Sequence, residues 1–126
     1  MSGTVRFAGL APQFLVDDLE VAIGFYRDVL GFRFGAPYRG FYAVGVRDGA
    51  VLHLKCAPKN ASERAHRKEN THLDAYLEVE GIGAFYAACQ AAGVVILKPL
   101  ERADWGGQDF YLSDPDGYIL GVGGAG

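Results

Sequence analysis

The hydrophobic and polar residues follow the same order of patterns in each half of the chain. In the first half, two sets of side chains alternate from Leu10 to Val16, which predicts a strand with two unlike faces. Apolar residues then recur with a helical period between Leu19 and Leu30, and Gly31 follows where helices commonly end in positive φ. Three extended runs, which we predict as strands, come next: Phe32–Pro37, Phe41–Val46 and Val51–Ala57.

The second half has the same succession. Side chains alternate from Leu73 to Val79, and a helical period runs from Ile82 to Ala92 before Gly93. Three predicted strands complete this half: Val94–Leu100, Asp109–Ser113 and Tyr118–Val122. In both halves an Asp-Gly pair, typical of a tight hairpin turn, stands before the last strand; the pairs are Asp48-Gly49 and Asp116-Gly117.

Because the two halves can be superposed along their length, the sequence predicts an α+β fold built from two βαβββ modules. We predict a single domain over residues 1–126. Module one takes about residues 5–57, module two about residues 71–124, and residues 58–70 join them. The join carries charged residues of both signs, so we interpret it as a solvated linker, with a phosphate-binding patch as the alternative.

The composition excludes several classes of protein. Glycine accounts for 18 of 126 residues, but half of the chain is hydrophobic and the net charge is only −3, which does not fit a disordered chain. No apolar run approaches the ~20 residues that cross a bilayer, and the mild acidity argues against a nucleic-acid partner. Residues 1–7 lack the apolar segment of a signal peptide. We therefore expect a cytoplasmic protein in which Cys56 and Cys89 are free thiols.

Three stretches of the chain have a distinctive sequence: Phe14–Glu20 (FLVDDLE), Ala22–Phe32 (AIGFYRDVLGF) and Asp109–Tyr118 (DFYLSDPDGY). They resemble the vicinal oxygen chelate superfamily, which includes glyoxalase I, extradiol dioxygenases, fosfomycin-resistance enzymes and bleomycin-resistance proteins. The resemblance implies that each module curls its strands into a half-open barrel, and that the two modules form a barrel-like cavity with the helices outside. It also implies a homodimer.

The resemblance further implies positions for metal ligands, one on the first and one on the last strand of each module. These positions are Ala11 and His53 in module one, and Asp74 and Gly121 in module two. Only His53 and Asp74 carry donor atoms, and a catalytic divalent ion usually has three or more protein ligands. We therefore expect no metal and no other cofactor; if a metal binds, His53 and Asp74 hold it. Gln13 and His72 would join them only after a register shift of two residues.

Strand alternation from those positions predicts the lining of the cavity. The expected ligand-binding side chains are Gln13, Phe41, His53, Lys55, Asp74, Tyr76, Trp105 and Tyr111. Phe41 and Ala43 are assigned to the inner face because a constant offset between the modules superposes them on Asp109 and Tyr111.

Three of these residues have two interpretations each. His53 either contacts a ligand or is a histidine satisfied inside the fold, and Trp105 either stacks on a planar ligand or packs at the rim. Asp74 faces inward, where a carboxylate needs a partner. That partner would be His53, Lys55 or a cationic ligand.

Together these residues predict a metal-free small-molecule-binding protein. The Trp105 loop and the segment 114–117 are most similar to the bleomycin-resistance branch, so the role would be sequestration of an antibiotic or a metabolite. One alternative is a metal-dependent lyase, isomerase or dioxygenase of the same superfamily, against which Ala11 and Gly121 count. Another is a cofactor-free enzyme in which His53 and Asp74 act as acid and base. The expected partners are the small molecule and a second copy of the chain, with no nucleic acid and no membrane.

Overall fold

The computed structural model describes residues 4–57 and 72–125, so the predicted linker at residues 58–70 lies outside the described residues. Module one contains β1 (Gln13–Val16), α1 (Leu19–Gly24), a π-helical turn (Phe25–Val29), β2 (Arg33–Phe34), β3 (Tyr42–Arg47) and β4 (Ala50–Cys56). Module two contains β5 (Ala75–Glu78), α2 (Ile82–Ala91), β6 (Val95–Arg102), β7 (Gln108–Ser113) and β8 (Ile119–Gly124). The order strand, helix and three strands therefore occurs twice.

Each module is one four-stranded sheet with the same connections. The strand order is β1-β4-β3-β2 in module one and β5-β8-β7-β6 in module two. The first strand of each module runs parallel to the last, and the other neighbours are antiparallel. The α+β fold with two βαβββ modules is therefore confirmed, and neither sheet closes into a barrel.

One face of each sheet is covered by the helix of its own module. The buried side chains between α1 and its sheet are Leu19, Ala22, Ile23, Leu52 and Leu54. Those between α2 and its sheet are Ile82, Cys89, Phe110, Leu112 and Val122. Full burial of a large apolar side chain, such as leucine, isoleucine or phenylalanine, stabilises the fold by about 1.5–3 kcal/mol. These side chains therefore fix which face of each strand is covered and which stays open.

The two modules contact each other through the connection between β7 and β8. The ring of Tyr118 stacks on that of Phe14 in β1, with centroids 4.2 Å apart. The Tyr118 hydroxyl accepts a hydrogen bond from the backbone N–H of Leu15 at 2.8 Å. The hydroxyl of Tyr26 donates to Oδ2 of Asp114 at 2.6 Å. This connection therefore joins the two sheets within the chain.

The ends of the elements mostly agree with the sequence patterns. Gly31 and Gly93 follow the two helical segments with φ of +78° and +77°. The predicted strand Phe32–Pro37 is shorter, because only β2 pairs with β3 and the chain then turns at Tyr38, whose backbone N–H donates to the carbonyl of Tyr42 at 2.7 Å. No helix in the described ranges has the length and apolarity needed to span a membrane.

Candidate functional site

The open face of the module-one sheet brings Gln13, Tyr42 and His53 together. Gln13 lies opposite His53 in the parallel pairing of β1 with β4. Val44 lies opposite His53, and Tyr42 opposite Lys55, in the antiparallel pairing of β3 with β4. Residues that lie opposite each other project from the same face of a sheet. These five side chains therefore share the face that α1 does not cover.

Hydrogen bonds join three of these side chains in a row. Nε2 of Gln13 donates to the hydroxyl of Tyr42 at 3.0 Å, and that hydroxyl lies 2.8 Å from Nδ1 of His53. The rings of Tyr42 and His53 meet edge to face, with centroids 5.7 Å apart and planes at 84°. The Tyr42 hydroxyl thus contacts Nδ1 of the half-buried imidazole. The other ring nitrogen, Nε2, takes no part in this hydrogen bond.

The prediction that Ala43 faces the cavity is wrong. Ala43 lies opposite Leu54 and is buried with it in the core beneath α1. Phe41 precedes β3, is 38% exposed and packs its ring against those of Tyr38 and Tyr42; its contact with a ligand stays a prediction. Tyr42 and Val44 are the β3 side chains that lie opposite Lys55 and His53 on the open face.

The cause of this error is the length of the last hairpin in each module. Val46 pairs with Val51 across residues 47–50, whereas Ser113 pairs with Ile119 across residues 114–118, one residue more. A constant offset between the modules therefore shifts β3 by one residue and reverses its faces. The two-residue Asp48-Gly49 turn was the signal that could have placed Tyr42 correctly, because it fixes every later pair of β3 with β4.

The open face of the module-two sheet is built around Tyr76. Gly121 lies on β8, between β5 and β7. It pairs with Tyr76 on β5 and with Tyr111 on β7. A Cβ atom on Gly121 would lie 2.7 Å from Cδ1 of Leu73 and 3.0 Å from Cδ1 of Tyr76, and one on Gly123 would collide with the tyrosine hydroxyl. The two glycines therefore leave the space in which the Tyr76 ring rests against the sheet.

Beside this ring, Lys98 is held by two carboxylates. Its Nζ atom lies 2.5 Å from Oδ1 of Asp109 and 3.2 Å from Oε1 of Glu101, and 5.3 Å from the centre of the Tyr111 ring. Burial acts to lower the pKa of Lys98, but the hydrogen bonds to the two carboxylates outweigh it and raise the pKa. Burial, with Asp109 adding to it, raises the pKa of Tyr76, so its hydroxyl stays protonated at neutral pH.

Tyr76 and Trp105 line a cleft of about 470 Å³. The rest of its lining is Glu78, Val79, Glu80, Gly123, Gly124 and Ala125. The side chain of Trp105 is 58% exposed, and its ring covers Gly107, where a Cβ atom would collide with it. Two aromatic residues and two acidic residues, Glu78 and Glu80, therefore line one space. Sequence reasoning missed both glutamates, although strand alternation puts Glu78 on the same face as Asp74 and Tyr76 and was the signal that could have found it.

Gln13 and Asp74 line a second cleft, of about 280 Å³, where β1 meets module two. Pro12, Phe14, Leu15 and Tyr118 complete its lining. Oδ2 of Asp74 accepts a hydrogen bond from the backbone N–H of Ile119 at 2.8 Å, and the Asp74 N–H donates to the carbonyl of Ile119 at 2.7 Å. A backbone amide is thus one partner of this carboxylate, a kind of partner that the sequence did not suggest.

The structure distributes the predicted ligand-binding residues over two sheets. Module one holds Gln13, His53 and Lys55 on its open face, and module two holds Tyr76 and Tyr111 on its own. Trp105 joins Tyr76 in the larger cleft, and Asp74 joins Gln13 in the smaller one.

The residues at the four expected metal-ligand positions do not fit a metal site. Ala11 and Gly121 offer no donor side chain, and Tyr76 occupies the space next to Gly121. Among residues 4–57 and 72–125, no three His, Cys, Asp or Glu side chains gather in a way that could hold an ion. His53 and Asp74 are thus two donors at positions where zinc or iron sites use three or more.

Comparison with known proteins agrees with this architecture. The sequence model of the Glyoxalase/Bleomycin resistance protein/Dioxygenase superfamily matches residues 9–122. The chain is similar to "Metallothiol transferase FosB" of Shouchella clausii (strain KSM-K16), with 29% identity over 115 residues. The match covers 86% of this chain and 74% of that protein.

Two solved structures of antibiotic-binding proteins have the same fold. TnmS3, an antibiotic binding protein from Streptomyces sp. CB03234, superposes with a TM-score of 0.74 and 22% identity, covering 98% of this chain and 100% of that chain. The bleomycin-binding protein from bleomycin-producing Streptomyces verticillus, complexed with copper(II)-bleomycin, gives a TM-score of 0.71 and 21% identity, covering 98% and 99%. At these identities the likeness shows a shared fold.

Proposed function

We propose, on the premise that this chain belongs to the Glyoxalase/Bleomycin resistance protein/Dioxygenase superfamily, that it is a metal-free protein that binds a small molecule. The observation that carries the proposal is the cleft of about 470 Å³ lined by Tyr76 and Trp105. Small-molecule sites ordinarily have ~300–1,000 Å³ and an aromatic or apolar lining with a few polar groups. We infer that the protein sequesters an antibiotic or a metabolite.

The way the two rings are supported favours a planar ligand. Trp105 rests against Gly107, and Tyr76 rests against Gly121 and Gly123. Because each ring already lies on backbone, stacking on it would immobilise little additional side-chain freedom. Stacked aromatic pairs contribute about 0.5–1.5 kcal/mol beyond the area that they bury.

The charge of the cleft favours a cationic ligand. Glu78 and Glu80 both line the cleft, beside the two aromatic rings. A cation over an aromatic face gains about 0.5–2 kcal/mol, and a nearby carboxylate adds to the attraction. We therefore expect a flat ligand with a positive charge or several hydrogen-bond donors. The contacts predicted for Gln13, His53 and Lys55 on module one, and for Asp74 and Tyr111, stay predictions.

Isothermal titration calorimetry tests the proposal with three probes: proflavine, a planar cation; fluorescein, a planar anion; and bleomycin. We expect proflavine or bleomycin to bind more tightly than fluorescein, and to quench the fluorescence of Trp105, the one tryptophan of the chain. Trp105→Ala should weaken binding about tenfold or more, which is about 1.4 kcal/mol. Val21→Ala, at a 54% exposed position of α1, is the matched control. Binding of none of the three probes, or binding that Trp105→Ala leaves unchanged, would contradict the proposal.

The second candidate function is a metal-dependent enzyme, because the curated relative is named a metallothiol transferase. Ala11 and Gly121 count against it, as does the ring of Tyr76 next to Gly121. Elemental analysis of the purified protein separates the two functions. One metal ion per chain, lost together with an enzymatic activity in His53→Ala, would replace the binding-protein proposal with this one.

The third candidate, a cofactor-free enzyme with His53 and Asp74 as acid and base, has less support. Tyr42 already holds Nδ1 of His53, and the Ile119 amide already donates to Asp74. A proton transfer between the two residues would have to compete with these contacts.

We also propose that the protein is a homodimer. Val5, Phe7 and Leu10 lie before β1, outside the helices and strands, and their exposed fractions are 83%, 94% and 100%. Contiguous exposed apolar side chains mark interaction surfaces, and we infer that a second copy of the chain covers them. Light scattering should give the mass of two chains, and Phe7→Ser with Leu10→Ser should give one. Val21→Ser is the control, and a wild-type mass of one chain at all concentrations would overturn the proposal.

We place the protein in the cytoplasm. The support is that Cys56 and Cys89 are both free, since free thiols persist in reducing compartments. Cell fractionation with an antibody against the native chain tests this placement.

A further inference from the structure

Tyr42 stands between two side chains that both contact its hydroxyl. The amide nitrogen Nε2 of Gln13 donates to this oxygen at 3.0 Å, and Nδ1 of His53 lies 2.8 Å from it. A tyrosine hydroxyl has one hydrogen to donate. Since Gln13 contributes a donor to this oxygen, the hydrogen of the hydroxyl is available for Nδ1 of His53.

The direction of these hydrogen bonds determines the chemical form of His53. A neutral imidazole carries its hydrogen on one nitrogen and a lone pair on the other, and the bond made by one nitrogen fixes the state of the other. When Tyr42 donates, Nδ1 accepts and Nε2 carries the hydrogen. A protonated Nε2 is a donor and has no lone pair with which to bind a metal.

We propose that Tyr42 is a positioning residue that fixes His53 as an Nε2–H donor, so that the open face of module one binds an acceptor oxygen, a carbonyl or a carboxylate, of the ligand. Lys55 lies opposite Tyr42 on the same face and adds a second donor. Val44 and Val51, 39% and 38% exposed, provide apolar surface on that face. The ligand part of this inference rests on the proposed function, whereas the form of His53 is a property of the free protein.

The form of His53 can be read directly from the two imidazole nitrogens in long-range ¹H–¹⁵N correlation spectra. Spectra are recorded without ligand at about pH 8. The signals are assigned with His53→Asn, because the chain has three histidines. We expect Nε2–H in the wild type. A wild-type signal of the Nδ1–H form would overturn the proposal, since it would mean that His53 donates to Tyr42.

One substitution should reverse the donor and acceptor roles in the hydrogen bonds between residue 13, Tyr42 and His53. In Gln13→Glu the amide donor is replaced by a carboxylate, which only accepts, so Tyr42 donates to residue 13 and His53 donates from Nδ1. Tyr42→Phe should leave a mixture of the two forms. Gln90→Glu, the same change on the exposed side of α2, should leave His53 unaltered. If Gln13→Glu leaves the Nε2–H form in place, Tyr42 does not set it and the proposal fails.

The ligand part is tested with benzoate as a carboxylate probe. We expect benzoate to shift the Nε2 signal of wild-type His53 and to shift it much less in Gln13→Glu. With the Nε2–H form present, absence of any shift would overturn the binding of an acceptor oxygen. This outcome is distinct from failure of the proposed function, which is measured by titration of proflavine or bleomycin against Trp105→Ala.

Discussion

The buried carboxylate of Asp114 should make the stability of the fold depend on pH. The side chain is 5% exposed, and its Oδ1 accepts hydrogen bonds from the backbone N–H groups of Asp116 and Tyr118 at 2.9 and 2.8 Å. Its Oδ2 accepts from the hydroxyl of Tyr26 at 2.6 Å. Burial raises the pKa of Asp114 from 3.8 to about 6, although these hydrogen bonds act in the opposite direction.

The sign and the size of the effect follow from this pKa. Because the folded protein binds the proton more tightly than the unfolded chain, protonation of Asp114 stabilises the fold. This contribution is fully present below about pH 3.8 and is lost as the pH rises through about 6. A change in pKa from 3.8 to about 6 corresponds to about 3 kcal/mol in the free energy of unfolding.

Urea unfolding of the wild type and of Asp114→Asn at about pH 4, 5, 6 and 7 measures this contribution. The asparagine keeps an acceptor for the two backbone N–H groups, can donate from Nδ2 to the oxygen of Tyr26, and does not titrate. The wild type should therefore lose about 2 kcal/mol relative to the variant between pH 4 and pH 7, because the unfolded carboxyl is already partly ionised at pH 4.

The control for this experiment is Asp104→Asn, at an exposed aspartate in the loop before β7. It should follow the wild type at every pH. If the free energies of unfolding of the wild type and Asp114→Asn differ by the same amount at every pH, the carboxylate does not titrate as its burial requires. The reasoning is then refuted.

Three further substitutions test the packing. Gly121→Ala should push Tyr76 from its place, cost about 1–3 kcal/mol in urea unfolding and weaken proflavine binding in calorimetry; unchanged binding would contradict the role of the glycine. Leu54→Ala, at a fully buried position, should cost about 2–5 kcal/mol, and a melting temperature equal to that of the wild type would contradict it. Tyr26→Phe should cost about 1.5–3 kcal/mol at pH 7 and raise the pKa of Asp114 further, because the lost hydrogen bond lowers it. A carboxyl ¹³C titration of Asp114 that moves down or not at all would contradict this last expectation.

The repeat of elements could be predicted from the sequence because its signals are local. Helical periods that end at Gly31 and Gly93 require only neighbours along the chain, and both glycines have the positive φ that a helix end favours. The two Asp-Gly pairs likewise placed the last hairpin of each half. These signals fixed the order of the elements without any knowledge of how the sheets pack.

It was harder to predict which side chains share one face of a sheet, because this depends on how neighbouring strands pair. The sequence placed Gln13 and His53 on one face correctly, since a single strand alternates reliably. It failed at Ala43, because the offset between the halves changes by one residue in β3. The missing side chain at Gly121 was visible in the sequence, but the ring of Tyr76 beside it was not, because that contact joins neighbouring strands.

The extra residue in the connection between β7 and β8 has a consequence for the evolution of the fold from a duplicated half. That connection carries Tyr118, which reaches Phe14 and Leu15 in the other sheet, whereas the corresponding hairpin of module one is a two-residue turn. A chain assembled from two identical copies of the first half would therefore lack this cross-sheet contact. The two halves are thus complementary, because the second supplies the tyrosine and the first supplies the ring and the backbone N–H that it contacts.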